Sequence, residues 1–153
     1  MGRRVGVALA AAGVLLGLGA TADGATFLSG PGTIRIGDKL VKHLHVHGGA
    51  PGHGAGDLDF FRQLLLTRTA HPKVIGHSDL SCLDTGTGSK NCTGTYFLPR
   101  GKLMVEGVIG SRLFYELAVV GGTGLYNNAK GTLTVTFLGG PPEHELLVFR
   151  LVV

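Results

Sequence analysis

A chain of 153 residues, 44% of them hydrophobic, is one domain of ordinary size, able to bury a core without metal or many disulfides. Its 14 lysines and arginines against 10 acids give a net charge of +4, but they are scattered singly, which excludes the basic stripe of a nucleic-acid binder. Two cysteines without CxxC spacing exclude a reactive thiol pair.

The first residues, Met1-Gly2-Arg3-Arg4, precede an apolar run from Val5 to Ala20 and the small-residue sequence Ala20-Thr21-Ala22. These are the basic, apolar and cleavage-site parts of a secretory signal, with cleavage after Ala22. The run falls short of the roughly 20 residues a membrane-spanning helix needs, so no stable membrane anchor is expected once the signal is cut. Residues 1–22 therefore read as a signal peptide, and the mature chain as a secreted protein, extracellular or periplasmic. Cleavage removes two arginines and lowers the net charge to +2. Electrostatics then say little about partners.

Residues 23–37, rich in Gly, Ser and Thr, read as an exposed N-terminal segment, and residues 38–153 as a single β domain. Leu40 to His47 alternates apolar and polar or basic positions with period two, the mark of a strand with one buried face. The glycine-rich Gly48 to Gly56 is a loop. Further strands are expected at Phe61 to Thr69, Lys73 to Cys82, Cys92 to Leu98, Lys102 to Ile109, Leu113 to Val120, Gly131 to Leu138 and His144 to Val153. Asp57 to Leu66 also admits a short helical turn. Pro99-Arg100-Gly101 is a hairpin turn, since proline fixes one φ and glycine permits a positive one. Eight antiparallel strands leave no exposed edge if they close into a barrel; a β-sandwich is the alternative. Cys82 and Cys92 flank a Gly/Thr/Ser-rich segment, and in an oxidising compartment they are expected to form a disulfide across that loop.

Val119 to Gly131 reads Val-Val-Gly-Gly-Thr-Gly-Leu-Tyr-Asn-Asn-Ala-Lys-Gly. It resembles the V-V-G-G-T-G, aromatic, A-R/K-G segment of dirigent proteins and the allene oxide cyclase superfamily. Gly56-Asp57 through Phe60 is similar to the family's G-D-x-x-x-F element. Cys92 to Pro99 and Lys102 to Gly107 are similar to its strand, turn and strand ending in V-Q/E-G. The resemblance spans about residues 56 to 138. It implies an eight-stranded antiparallel barrel that encloses an apolar small molecule and steers its cyclisation or stereoselective coupling by holding a reactive conformer. It also implies no cofactor, and a homo-oligomer as in the trimeric plant cyclases. Glu106 stands where the plant cyclases keep Gln, and the plant cysteine has its counterpart at Ser81 or, with a shift of one, at Cys82. The glycines themselves suit a sharp strand-ending turn with positive φ.

Glu106 shares a strand face with Met104 and Val108; if that face points inward, desolvation makes Glu106 a candidate acid or base. Tyr96, Met104, Tyr115, Arg68 and Asp79 are candidate ligand contacts, with Tyr115 and Glu116 on opposite faces and His77 beside Asp79 on one face. His43, His45 and His47 alternate on one strand, with His53 in the following loop, and neutral imidazoles so placed can ligate Zn2+ or Cu2+ if another strand supplies the remaining ligands. No Gly-x-Ser-x-Gly elbow, HExxH or phosphate loop is present, which excludes the commoner hydrolases and kinases. The leading expectation is a secreted barrel that binds an apolar small molecule and guides its cyclisation or coupling. The alternatives are a non-catalytic structural or interaction barrel and a metal-binding module.

Overall fold

The computed structural model describes residues 32–48, 54–140 and 144–152. Eight strands run in chain order: β1 (Gly32–Val46), β2 (Leu58–Leu66), β3 (Val74–Asp84), β4 (Lys90–Leu98), β5 (Gly101–Ile109), β6 (Phe114–Gly124), β7 (Lys130–Gly139) and β8 (His144–Val152). Each pairs antiparallel with its sequence neighbours, and β1 pairs with β8, so the sheet closes into a barrel. The expected closed barrel is found and the sandwich is not, because the β1–β8 seam leaves no edge.

Three local expectations change. Residues 32–37 are not an exposed lead-in: they form the first part of β1, paired from Gly32 opposite Leu151 to Gly37 opposite Leu146, with Ile36 buried. Pairing with the far end of the chain supplies the order that the Gly- and Thr-rich local sequence does not predict. β2 begins at Leu58 and is extended throughout, so no helical turn forms there. Gly121, Gly122 and Gly124 continue β6 rather than ending it; of these three only Gly124 has a positive φ, 63°. Gly122 is needed for close approach instead, since a Cβ there would lie 2.2 Å from the Tyr126 carbonyl oxygen. The signal-peptide residues lie outside the described part of the chain.

Side chains alternate in and out along each strand. Leu65, Tyr96, Leu103, Val105, Leu117, Leu133, Val135, Leu147 and Phe149 fill the interior and are all nearly inaccessible to solvent. Tyr96 meets Phe149 edge to face, with ring centroids 5.1 Å apart. Each large apolar side chain so buried stabilises the fold by about 1.5–3 kcal/mol. Cys82 stands opposite Cys92 in the β3–β4 register, and the two form the expected disulfide.

One irregularity decides what the mouth of the barrel is made of. Between Leu40 and Lys42 the β1–β2 register slips by one residue, with Val41 as the extra one. Before this bulge the even-numbered residues Ile36 and Asp38 are buried; after it His43 and His45 stand opposite the inward Phe61 and Asp59. A bulge of this kind reverses which residues of a strand face inward.

Candidate functional site

The barrel interior is filled at one end and open at the other. The open end holds a cavity of about 510 Å³, bordered by the β3–β4 and β5–β6 connections. Its walls are mostly apolar: Leu40, Phe61, Leu80, Ile109, Leu113 and Phe137, with the Cys82–Cys92 bridge among them. Lys90 and Arg112 also line it. Sites of this size, apolar with a few convergent polar groups, are typical of small-molecule binding.

The polar groups converge where β1 meets β8. Asp38 and Glu145 are directly opposed in the register, and Asp38 Oδ1 accepts the Glu145 backbone N–H at 3.1 Å. Asp38 Oδ2 is buried and meets no hydrogen-bond donor among the described residues. The Glu145 carboxyl receives the Gln63 amide N–H at 3.2 Å and the Tyr115 hydroxyl at 3.5 Å. Gln63 is oriented in turn by Ser78, whose hydroxyl donates to Gln63 Oε1 at 2.8 Å. Burial, and then the charge of Glu145, push the Asp38 carboxyl up to about 8. Two adjacent carboxyls cannot both ionise cheaply in such a place, so one of them holds a proton near neutrality. Burial and the Glu145 charge likewise push the Tyr115 phenol up, keeping it a hydrogen-bond donor.

A second polar cluster sits at the rim, beside the Phe61 wall. Asp59, buried, accepts from His43 Nε2 at 2.6 Å and His45 Nδ1 at 2.8 Å, and pairs with the Lys90 ammonium. Burial pushes the Asp59 carboxyl up, but the hydrogen bonds from Lys90, His43 and His45 outweigh it and hold the group below the usual carboxylate range. His43 stacks on Phe61 with ring centroids 4.6 Å apart.

The residues expected from sequence divide between the two faces of the wall. Tyr115 lines the cavity, and Tyr96 is buried in the packed end. Glu106 is exposed, and Met104 is 42% exposed beside it, because Leu103 and Val105 take the inward positions of β5. Glu106 does share a face with Met104 and Val108, but that face is the outer one, so it has no place in this cavity. Asp79 also faces outward, bound by the Arg62 guanidinium at 2.7 and 2.9 Å with His77 at 3.9 Å. Arg68 does not line this cavity but a second, more open groove near the β2–β3 connection, which shares Asp38 and Glu145 with it. Glu116 lies outside, accepting the Thr134 hydroxyl at 2.9 Å. Sequence reasoning missed Asp38, Glu145 and Gln63. The available signal was an acid or amide among the apolar residues of three different strands.

No protein-family model matches the sequence, and no curated protein sequence matches it. Solved structures do. A pyocyanin demethylase is similar with a TM-score of 0.67 and 27% identity, over 78% of this chain and 98% of that one. The pterocarpan synthase dirigent protein GePTS1 has a TM-score of 0.63 and 14% identity, over 79% of this chain and 82% of its own. The Diels-Alderase AbmU from Streptomyces koyangensis has a TM-score of 0.64 and 13% identity, over 78% of this chain and 63% of its own. The chain shares with this dirigent protein and this Diels-Alderase the fold of a closed eight-stranded antiparallel barrel.

Proposed function

We propose that this is an exported barrel that binds a small, largely apolar ring compound in its open end and rearranges it with the help of the Asp38–Glu145 pair. The observation that carries the reading is the buried Asp38 oxygen without a donor, set among polar groups of an apolar cavity open to solvent. An unpartnered buried carboxyl oxygen costs stability, and a polar ligand atom at this point would offset that cost, a lone pair facing the protonated carboxyl or an N–H or O–H facing the ionised one. The proton held by the pair suits donation to a ligand oxygen or nitrogen as charge develops there, while the apolar walls fix the reactive conformer. Cyclisation or stereoselective coupling of a small molecule is the reaction class this supports, in keeping with the dirigent protein and Diels-Alderase of the same fold. Export is supported by the Cys82–Cys92 bridge, which belongs in an oxidising compartment.

A second reading is demethylation of pyocyanin or a similar small molecule, favoured by the match to the pyocyanin demethylase over 98% of that chain. One experiment covers both. Purified protein is mixed with pyocyanin and, separately, with a panel of phenolic and diene precursors, and binding and products are followed by absorbance and mass spectrometry. Saturable binding is expected, weakened by Ile109→Trp, which narrows the cavity; product formation is expected to vanish in Asp38→Asn while binding remains. Absence of binding across the whole panel, or turnover undiminished in Asp38→Asn, would sink the proposal.

A further inference from the structure

At the rim, three side-chain atoms, from the end of β1, the residue that follows it and the residue preceding β2, meet in a triangle. His45 Nε2 lies 3.3 Å from His47 Nδ1 and 3.4 Å from Asp57 Oδ2, and His47 Nδ1 lies 3.5 Å from the same oxygen. Ligands held about 2.0–2.2 Å from a tetrahedral Zn2+ stand about 3.4 Å from one another, so the triangle has the size of one face of that tetrahedron.

The surroundings hold these atoms in place. The Asp57 carboxylate is fixed by two backbone N–H groups, from Gly48 at 3.0 Å and Gly54 at 3.1 Å. His45 makes its other ring contact, through Nδ1, with Asp59 Oδ1 at 2.8 Å. A carboxylate behind a histidine in this way sets the tautomer, with the proton on Nδ1 and the lone pair of Nε2 turned to the ligand side. Asp59 is anchored in its turn by Lys90. His43, the other member of the alternating set, hydrogen-bonds Asp59 at 2.6 Å and stacks on Phe61.

We propose that His45 Nε2, His47 Nδ1 and the Asp57 carboxylate bind a first-row divalent cation of the Zn2+ or Cu2+ class, with the fourth position open to water. Two imidazoles and one carboxylate suit these metals and not Ca2+ or Mg2+, which take oxygen ligands. The ion would tie the end of β1 to the start of β2 and, through His45, Asp59 and Lys90, fix the rim of the cavity.

The test uses untagged protein, Zn2+ competed against a chromophoric chelator, and Co2+ as a spectroscopic probe. One Zn2+ per chain is expected, and Co2+ should give the intense visible bands of a four-coordinate site. His47→Ala, at a side chain more than half exposed, should abolish both while leaving the circular dichroism of the barrel unchanged; His47→Asn serves as a second variant of closer shape. Asp59→Asn should weaken Zn2+ binding about 10- to 100-fold. His43→Ala and His77→Ala should keep the stoichiometry and the Co2+ spectrum. No binding by the wild type, six-coordinate Co2+ spectra, or binding that survives both His47 variants would overturn the proposal, as would a loss in His77→Ala equal to that in His47→Ala.

Discussion

The two ends of the barrel are built from the same strands and do opposite things. At the packed end Tyr96, Leu103, Leu133, Leu147 and Phe149 meet across the axis and leave no room for a ligand. At the open end the inward positions pass to Leu40, Phe61, Leu80, Ile109 and Phe137, which stand back around a cavity of about 510 Å³ with Asp38 and Glu145 among them. An eight-stranded barrel is just wide enough for either outcome. The difference teaches that the packed end supplies the stability that tolerates a buried carboxyl pair at the other.

The sharpest way to break this comparison is Phe149→Ala. It removes a fully buried ring from the packed end and should cost about 3–5 kcal/mol, read as a loss of Tm and of denaturation midpoint. A loss under about 1 kcal/mol would mean the packed end is not the stabilising half.

Asp38→Asn probes the other end. The Asp38 carboxyl has a folded value of about 8 against an ordinary value of 3.8, so between them the unfolded chain loses a proton that the folded one keeps. The unfolded state then binds fewer protons, and stability falls as pH rises from near 3.8 to about 8. Denaturant unfolding across that range should show the fall in the wild type and a flatter profile in Asp38→Asn, and an identical slope in both would place the proton elsewhere. The smallest effect is expected at the outer face: Glu106→Ala should change stability by no more than about 0.5 kcal/mol and leave ligand binding untouched. Lost binding in that variant would show that the outer wall takes part in the site.

Much of the architecture was legible in the sequence. Period-two alternation located the strands, and the order of the glycine segment, the β4–β5 turn and the Gly56-Asp57 element led to closure into a barrel. The phase of each strand was not legible. Met104, Glu106 and Val108 have the composition of a half-buried face, yet Leu103 and Val105 take the interior, and no local signal distinguishes the two when both faces carry apolar residues. The central acids escaped for a different reason. Asp38 and Glu145 are 107 residues apart and become partners only at the seam where the first strand meets the last. Asp57, which completes the rim triangle, likewise comes from the far side of the loop that follows the histidines. The histidines themselves were singled out by their spacing, though their acid partners were not.

The extra residue at Val41 makes the barrel's chemistry depend on parity. Upstream of it β1 offers its even residues to the interior and downstream its odd ones, so one strand supplies an acid deep in the cavity and imidazoles at the entrance. Removing that single residue would leave Leu40 opposite Gln63 and Lys42 opposite Arg62 as consecutive pairs, so the same side chains would keep their faces and only the kink would be lost. The bulge thus lets β1 carry one residue more than its partner without exchanging its inner and outer faces. A length change that is not absorbed in this way, and instead slips the end of β1 by one residue against β2, would bring Leu44 and Val46 to the entrance and turn His43, His45 and His47 toward solvent.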